Sequence, residues 1–93
     1  MSEKKQKHPT HVERYTGSLE DLARDVKNMR YDKLTEFLCY LAAQVKSEAD
    51  KDMANGKPRL ASKLYLASNY LSRSQEEIDS AWKISEPYME DKK

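Results

Sequence analysis

The fold is decided by residues 32–85, which read DKLTEFLCYLAAQVKSEADKDMANGKPRLASKLYLASNYLSRSQEEIDSAWKIS. Two long segments of this stretch carry apolar residues at steps of three and four, the spacing that places side chains on one face of an α-helix. The first stripe is Leu34, Leu38, Leu41, Val45 and Ala49, and the second is Leu60, Leu64, Ala67, Leu71, Ile78 and Trp82. The sequence therefore predicts an antiparallel helical hairpin.

The turn of this hairpin is marked by the sequence NGKP at residues 55–58. Asn-Gly suits the left-handed position that follows a helix, and proline suits the first turn of the next helix. We therefore expect helices at about 32–55 and 58–85. Pro87 is expected to stop the second of them, because the residue before a proline is disfavoured in the helical conformation. Residues 87–93 then form a polar C-terminal tail.

A shorter amphipathic helix is predicted before the hairpin, at about 18–29. Ser18 is placed as its N-cap, and Asp21 completes a variant of the capping box with a shorter acid than Glu. Residues 1–17 show no apolar periodicity and carry more basic than acidic side chains. We interpret them as a flexible basic tail.

A break between the first two helices is predicted near Arg30, with Asp32 as the N-cap of the second. One continuous helix through residue 54 is the alternative. Its first apolar residues would point roughly 100–180° away from the Leu38 stripe, so a bend or short turn is favoured. We expect the first helix to dock at the open end of the hairpin, with contacts from Leu22, Val26 and Met29 to Phe37, Ile78 and Trp82.

Composition favours one small all-α domain. The chain has 93 residues, with only two glycines and three prolines, which fits helices better than a sheet with many turns. Its 17 basic and 16 acidic residues nearly balance, which argues against a dedicated nucleic-acid binder. A lone cysteine, a charged N-terminus and the lack of a long apolar run predict a cytoplasmic protein without a membrane segment.

The search for catalytic chemistry yields no catalytic, cofactor or metal residues. His8 and His11 form a pair, but a metal site needs three or four ligands and no third lies near. Cys39 has no neighbouring base to take its proton. Two glycines in total cannot build the phosphate-binding loops of nucleotide enzymes. An enzyme acting alone is therefore not expected.

Lys57, Arg59 and Lys63 gather at the start of the last helix, where free N–H groups attract anions. They are the candidate anion contacts. The competing interpretation is favoured: Asp50 and Asp52 end the preceding helix across the same turn, and the two clusters would offset each other.

Several apolar side chains remain on the outer faces of the predicted hairpin: Tyr40, Ala43, Leu66, Tyr70 and Ile84. Their number suggests a second layer; if it is another copy of the hairpin, the two copies would form a four-helix bundle. Four small residues would let the helices approach closely: Ala42, Ala43, Ala61 and Ala67. The predicted protein interface consists of the outer residues Tyr40, Ala43, Leu66, Tyr70 and Ile84.

The leading functional hypothesis is a small non-enzymatic interaction module, regulatory or scaffolding, that forms a homodimer or binds a protein partner. A second is a nucleic-acid or anion binder that uses residues 1–17 and the cluster at 57–63. Its binding should then fall steeply with added salt. A third is an enzyme subunit with a site between copies, for which the candidates are Glu36, Tyr40, Asn69 and Arg73.

Overall fold

The computed structural model describes residues 8–89 and contains three α-helices in that range: α1 (Leu19–Lys27), α2 (Tyr31–Ala54) and α3 (Pro58–Met89). No strand occurs in the described residues, which confirms the predicted all-α class. The helices α2 and α3 pack along each other as the predicted hairpin, whereas α1 makes only sparse contact with them. The outer parts of the predicted tails, 1–7 and 90–93, lie outside the described residues.

The turn of the hairpin has the backbone geometry that its sequence predicts. Gly56 has a φ of 78°, the left-handed conformation that a residue without Cβ adopts freely. Its N–H donates to the carbonyl oxygen of Met53 at 3.2 Å, and the N–H of Lys57 donates to the carbonyl oxygen of Asp52 at 2.8 Å. These are the two hydrogen bonds of a Schellman motif, which satisfy the last carbonyl groups of α2. Pro58 then opens α3.

The predicted capping box at the start of α1 is present. The Ser18 hydroxyl accepts the N–H of Asp21 at 3.0 Å, and the Asp21 carboxylate accepts the N–H of Ser18 at 3.1 Å. The bond from Ser18 is the main cause that lowers the pKa of Asp21, followed by the guanidinium of Arg24. Two N–H groups that α1 itself leaves unpaired are thus satisfied locally.

The predicted break between α1 and α2 is confirmed, but the predicted cap of α2 is wrong. Arg30 occupies the N-cap position, without a side-chain capping bond, and Asp32 lies in the first turn of the helix. The Asp32 carboxylate accepts from Nε of Arg30 at 2.6 Å and from Nη2 at 2.9 Å. This bidentate pair lowers the pKa of Asp32. The helix begins at Tyr31, one residue before the predicted cap, and the charged fork from Arg30 holds the Asp32 carboxylate in the first turn.

The predicted end of α3 is also wrong, because the helix runs through Pro87 to Met89. Proline lacks an N–H and therefore removes one hydrogen bond of the helix. This loss falls in the last turn, two residues before the helix ends. Helix ends fray and leave backbone groups unpaired in any case, so the sequence rule sets the end one turn too early.

The contact between α2 and α3 is made by small residues. Ala42 and Ala49 on α2, and Ala61 and Ser68 on α3, are buried and are spaced seven residues apart in each helix. The Ser68 hydroxyl donates to the carbonyl oxygen of Ala42 at 2.9 Å. Side chains of this size let two helix backbones approach closely. The prediction that small residues permit close approach is right for Ala42 and Ala61, while Ala43 and Ala67 are exposed.

The helix α1 lies at the open end of the hairpin, beside the start of α2. Leu22 and Val26 line a groove together with Phe37, in agreement with the predicted docking site. Trp82 has a partner that the sequence did not predict: the guanidinium carbon of Arg30 lies 5.6 Å from the centre of its ring. A cation over an aromatic face is attracted by the ring quadrupole. The end of α3 is therefore held near the break between α1 and α2.

The segment before α1 is attached through Tyr15. Its hydroxyl donates a short hydrogen bond to the carboxylate of Asp25 on α1. Gly17 permits this approach, since a Cβ at that position would lie 2.7 Å from the Tyr15 ring. The carboxylate raises the pKa of Tyr15 to about 12.

Replacement of Ala49 by leucine tests the small-residue contact. Ala49 is 0% exposed, so three added carbon atoms must push α2 and α3 apart. We expect Ala49→Leu to lower the free energy of unfolding by about 1–3 kcal/mol, the usual cost of overpacking a core. Ala43→Leu is the matched control, since Ala43 is exposed on the same helix and should tolerate the same change. Urea unfolding of both variants measures their free energies of unfolding. Equal stabilities would contradict the close packing.

The Tyr15–Asp25 bond gives a test in alkaline solution. The raised pKa of Tyr15 means that its docking contributes fully below the ordinary tyrosine value of about 10 and is lost as the pH rises through about 12. Asp25→Asn removes the carboxylate and should return the pKa toward the ordinary value. The pKa of Tyr15 is measured by following the NMR shifts of the tyrosine ring carbons against pH. The Tyr15→Phe variant identifies which signal belongs to Tyr15. An unchanged titration in Asp25→Asn would exclude the bond.

Candidate interaction surface

The described part of the chain forms a single layer of helices. Its extents are 53 × 29 × 14 Å, and the smallest of them is close to the about 10–12 Å diameter of one helix. The radius of gyration is 16.7 Å, whereas a compact chain of this length has about 12 Å. Stable domains bury their apolar faces between two packed layers. One broad side of this layer therefore has the properties of a surface that packs against another one.

The side on which each residue lies follows from the contact between Ala42 and Ser68. Each residue advances about 100° around a helix, so positions four before, one before and three after a contact residue share one side of it. In an antiparallel pair, equal offsets in the two helices lie on the same side of the pair. These offsets give Leu38, Leu41 and Val45 on α2, and Leu64, Ala67 and Leu71 on α3.

We call this side the apolar face. It consists of Leu34, Leu38, Leu41, Val45, Leu60, Leu64, Ala67, Leu71 and Ile78. Leu41 remains 37% exposed and Leu60 48% exposed, while Leu64 and Leu71 are only half-buried. Within residues 8–89, no large side chain is fully buried. Apart from Leu34, which is buried at 9% exposure, the leucines thus flank the α2–α3 contact without being enclosed by it.

The apolar face continues onto α1 at the open end of the hairpin. A groove of about 360 Å³ separates the two helices. It is lined by Leu19, Leu22, Ala23, Val26, Lys27, Leu34 and Phe37. Leu19 and Phe37 are exposed there, so α1 widens the apolar surface more than it covers it.

The opposite side of the hairpin is polar. The Tyr65 hydroxyl donates to the carboxylate of Asp50 across the helix pair, and this bond raises the pKa of Tyr65. Cys39 is exposed on the same side. The contrast between the two sides fixes which of them could pack against an apolar partner.

The predicted interface residues are all exposed, but they do not form one surface. Tyr40 stands two residues before Ala42, and Leu66 stands two residues before Ser68, which is roughly 160° away from the contact in each helix. They therefore lie on opposite edges of the layer. Tyr70 and Ile84 follow the edge of Leu66. Helical periodicity found these exposed residues and also the leucine stripes, but it assigned the stripes to the contact within the hairpin instead of to an exposed face.

In the described part of the chain, the charges predicted to offset each other across the turn do not form direct ion pairs. No ion pair within 4.0 Å joins Asp50 or Asp52 to the candidate anion contacts Lys57, Arg59 and Lys63 in the described residues. Asp50 binds Tyr65 on the polar side instead. Asp52 is only 8% exposed and lies at the edge of the apolar face.

The four candidates for an enzymatic site between copies lie apart within a single chain. Tyr40 donates to Glu36 at 3.1 Å on one edge of the layer, and this bond raises the pKa of Tyr40. The pKa of Glu36 is lowered by Lys33 first and by Tyr40 second. Asn69 and Arg73 lie on the other helix, α3, toward its polar side and outer edge.

The described residues contain no group of three or more His, Cys, Asp or Glu side chains that could hold a metal ion. Among the same residues, no helix is long and apolar enough to span a membrane. Comparison of the chain with protein-family models, with curated proteins and with solved structures found no match.

Proposed function

We propose that this chain is a non-enzymatic helical interaction module that self-associates through its apolar face. The observation that carries the proposal is the single layer of helices with one broad side of half-exposed leucines. A regulatory or scaffolding role in the cytoplasm is the setting in which such a module would act.

The free energy that the apolar face could contribute supports association. Full burial of a leucine side chain contributes about 1.5–3 kcal/mol. Covering a few half-exposed leucines therefore contributes several kcal/mol, which is comparable to the net stability of about 5–15 kcal/mol of a whole domain. Small domains are marginal by themselves, and oligomerisation is one of the usual ways to stabilise them.

The dimensions of the layer suit another helical layer of the same size. The two longer extents of the layer are 53 and 29 Å, so its outline leaves room for an interface of the standard size, about 800 Å² on each partner. Its side chains project in rows at helical spacing, which pack best against the rows of another helix. A second copy offers such rows together with an equally uncovered apolar face. Two layers stacked in this way form a helical bundle.

Two leucines of nearly equal exposure distinguish the apolar face from the outer edge. Leu60 is 48% exposed on the apolar face, and Leu66 is 44% exposed on the edge predicted from sequence. A buried, unpaired carboxylate is costly, so we expect Leu60→Glu to shift the protein to monomers, while Leu66→Glu leaves the assembly intact. Light scattering after size exclusion, over a range of protein concentrations, measures the mass.

Helical content by circular dichroism serves as the control that both variants fold. If Leu66→Glu alone dissociates the protein, the interface lies on the outer edge as the sequence predicts. A wild-type chain that stays monomeric at every concentration, or assembly that survives Leu60→Glu, would refute self-association through the apolar face.

A further inference from the structure

We infer that the two copies are related by a twofold axis parallel to the helices, so that both turns lie at the same end. In this arrangement α2 of each copy stacks on α3 of the other. Oppositely charged residues beside the apolar face, close to the turn, determine this choice. The inference rests on the proposed self-association and specifies its geometry and its charged contacts.

The acidic residues stand on one helix and the basic residues on the other. Glu48 and Asp52, four residues apart, border the apolar face on α2. Lys63 borders it on α3, with Arg59 four residues before it on the outer edge. Within one copy these two groups lie on opposite borders of the face, and no ion pair joins them in the described residues.

Both groups stand at the same height along the hairpin. Glu48 lies six residues beyond Ala42 toward the turn, and Lys63 lies five residues from Ser68 toward the turn. Since Ala42 and Ser68 are in contact, the two heights differ by only about 1.5 Å, the rise of one residue.

Only one of the two simple twofold arrangements brings these charges together. An axis parallel to the helices exchanges the two borders of the face and keeps the height, so Glu48 of one copy meets Lys63 of the other, twice by symmetry. An axis across the helices stacks α2 on α2 and inverts the height. It leaves Glu48 and Lys63 far apart. Complementary charges that border an interface select the register and orientation of the partners.

Asp52 places a second acidic group beside the same part of the apolar face. The residue is 8% exposed, and its carboxylate has no hydrogen bond or ion pair with any other described residue. Its oxygens are not among the buried, unpartnered side-chain atoms of the described residues, so they remain accessible to a cation of a second copy. With both turns at one end, Arg59 of the second copy lies within one residue of its height, since Asp52 is ten residues beyond Ala42 and Arg59 is nine residues from Ser68 toward the turn. The guanidinium of Arg59 can then pair with it.

Charge reversal tests the contact between Glu48 and Lys63. Glu48→Lys and Lys63→Glu each place like charges together twice, so we expect each to weaken dimerisation roughly tenfold. The double variant exchanges the charges and should recover most of the wild-type affinity. Glu77→Lys, an exposed position on the outer edge of α3, is the control and should have little effect. Failure of the double variant to recover would refute the contact.

Distances between labelled turns test the axis itself. Asn55 is exposed at the turn, and Cys39→Ser removes the native thiol, so Asn55→Cys takes one spin label per copy. Pulsed electron–electron double resonance should give a distance between the two spin labels well under the 53 Å length of the layer. A separation near that length would overturn the parallel axis while leaving self-association intact. Loss of any inter-copy distance, with a monomeric mass, would instead refute the proposed function.

Discussion

The close approach of α2 and α3 through alanine and serine is the constraint on which the rest of this structure depends. Because Ala42, Ala49, Ala61 and Ser68 occupy the line of contact, no large side chain can lie there. Most of the leucines lie to one side of this line, where they stay partly exposed; Leu34 is the exception and is buried. The two helices are thus closely packed along their line of contact, while the apolar face beside it is incompletely covered. The proposed second layer would cover that face.

Features that depend on a few neighbouring residues could be predicted from the sequence. The Asn55-Gly56 helix end and the Ser18–Asp21 capping box each involve hydrogen bonds within six residues, and both are present. The cap of α2 was mispredicted because the helix begins at Tyr31, one residue before Asp32. The sequence rule expects the Asp32 carboxylate to cap the helix by accepting a backbone N–H, whereas in the structure it accepts two hydrogen bonds from the guanidinium of Arg30.

The phase of the helices could not be predicted, because it is a tertiary property. Leucines and alanines on α2 repeat with the same period, so periodicity identifies the apolar half of the helix but not which line within it meets α3. Ala42 and Leu41 differ by one residue and by about 100°, and only one of them can face the partner helix. The exposed apolar residues chosen from sequence, such as Tyr40 and Leu66, therefore fall on opposite edges instead of on one surface.

The charges around the turn are another feature that interactions within one chain do not account for. Acidic side chains at the end of α2 and basic ones at the start of α3 both oppose the dipole of their own helix. Pairing within the hairpin does not offset this cost in the described residues, since Asp50 binds Tyr65 and Asp52 binds no described side chain. In the proposed dimer, a second copy would present the complementary charges and make these electrostatics favourable. The turn end of each hairpin would then carry both the charges that are unfavourable within one chain and the contacts that orient the two copies in the proposed dimer.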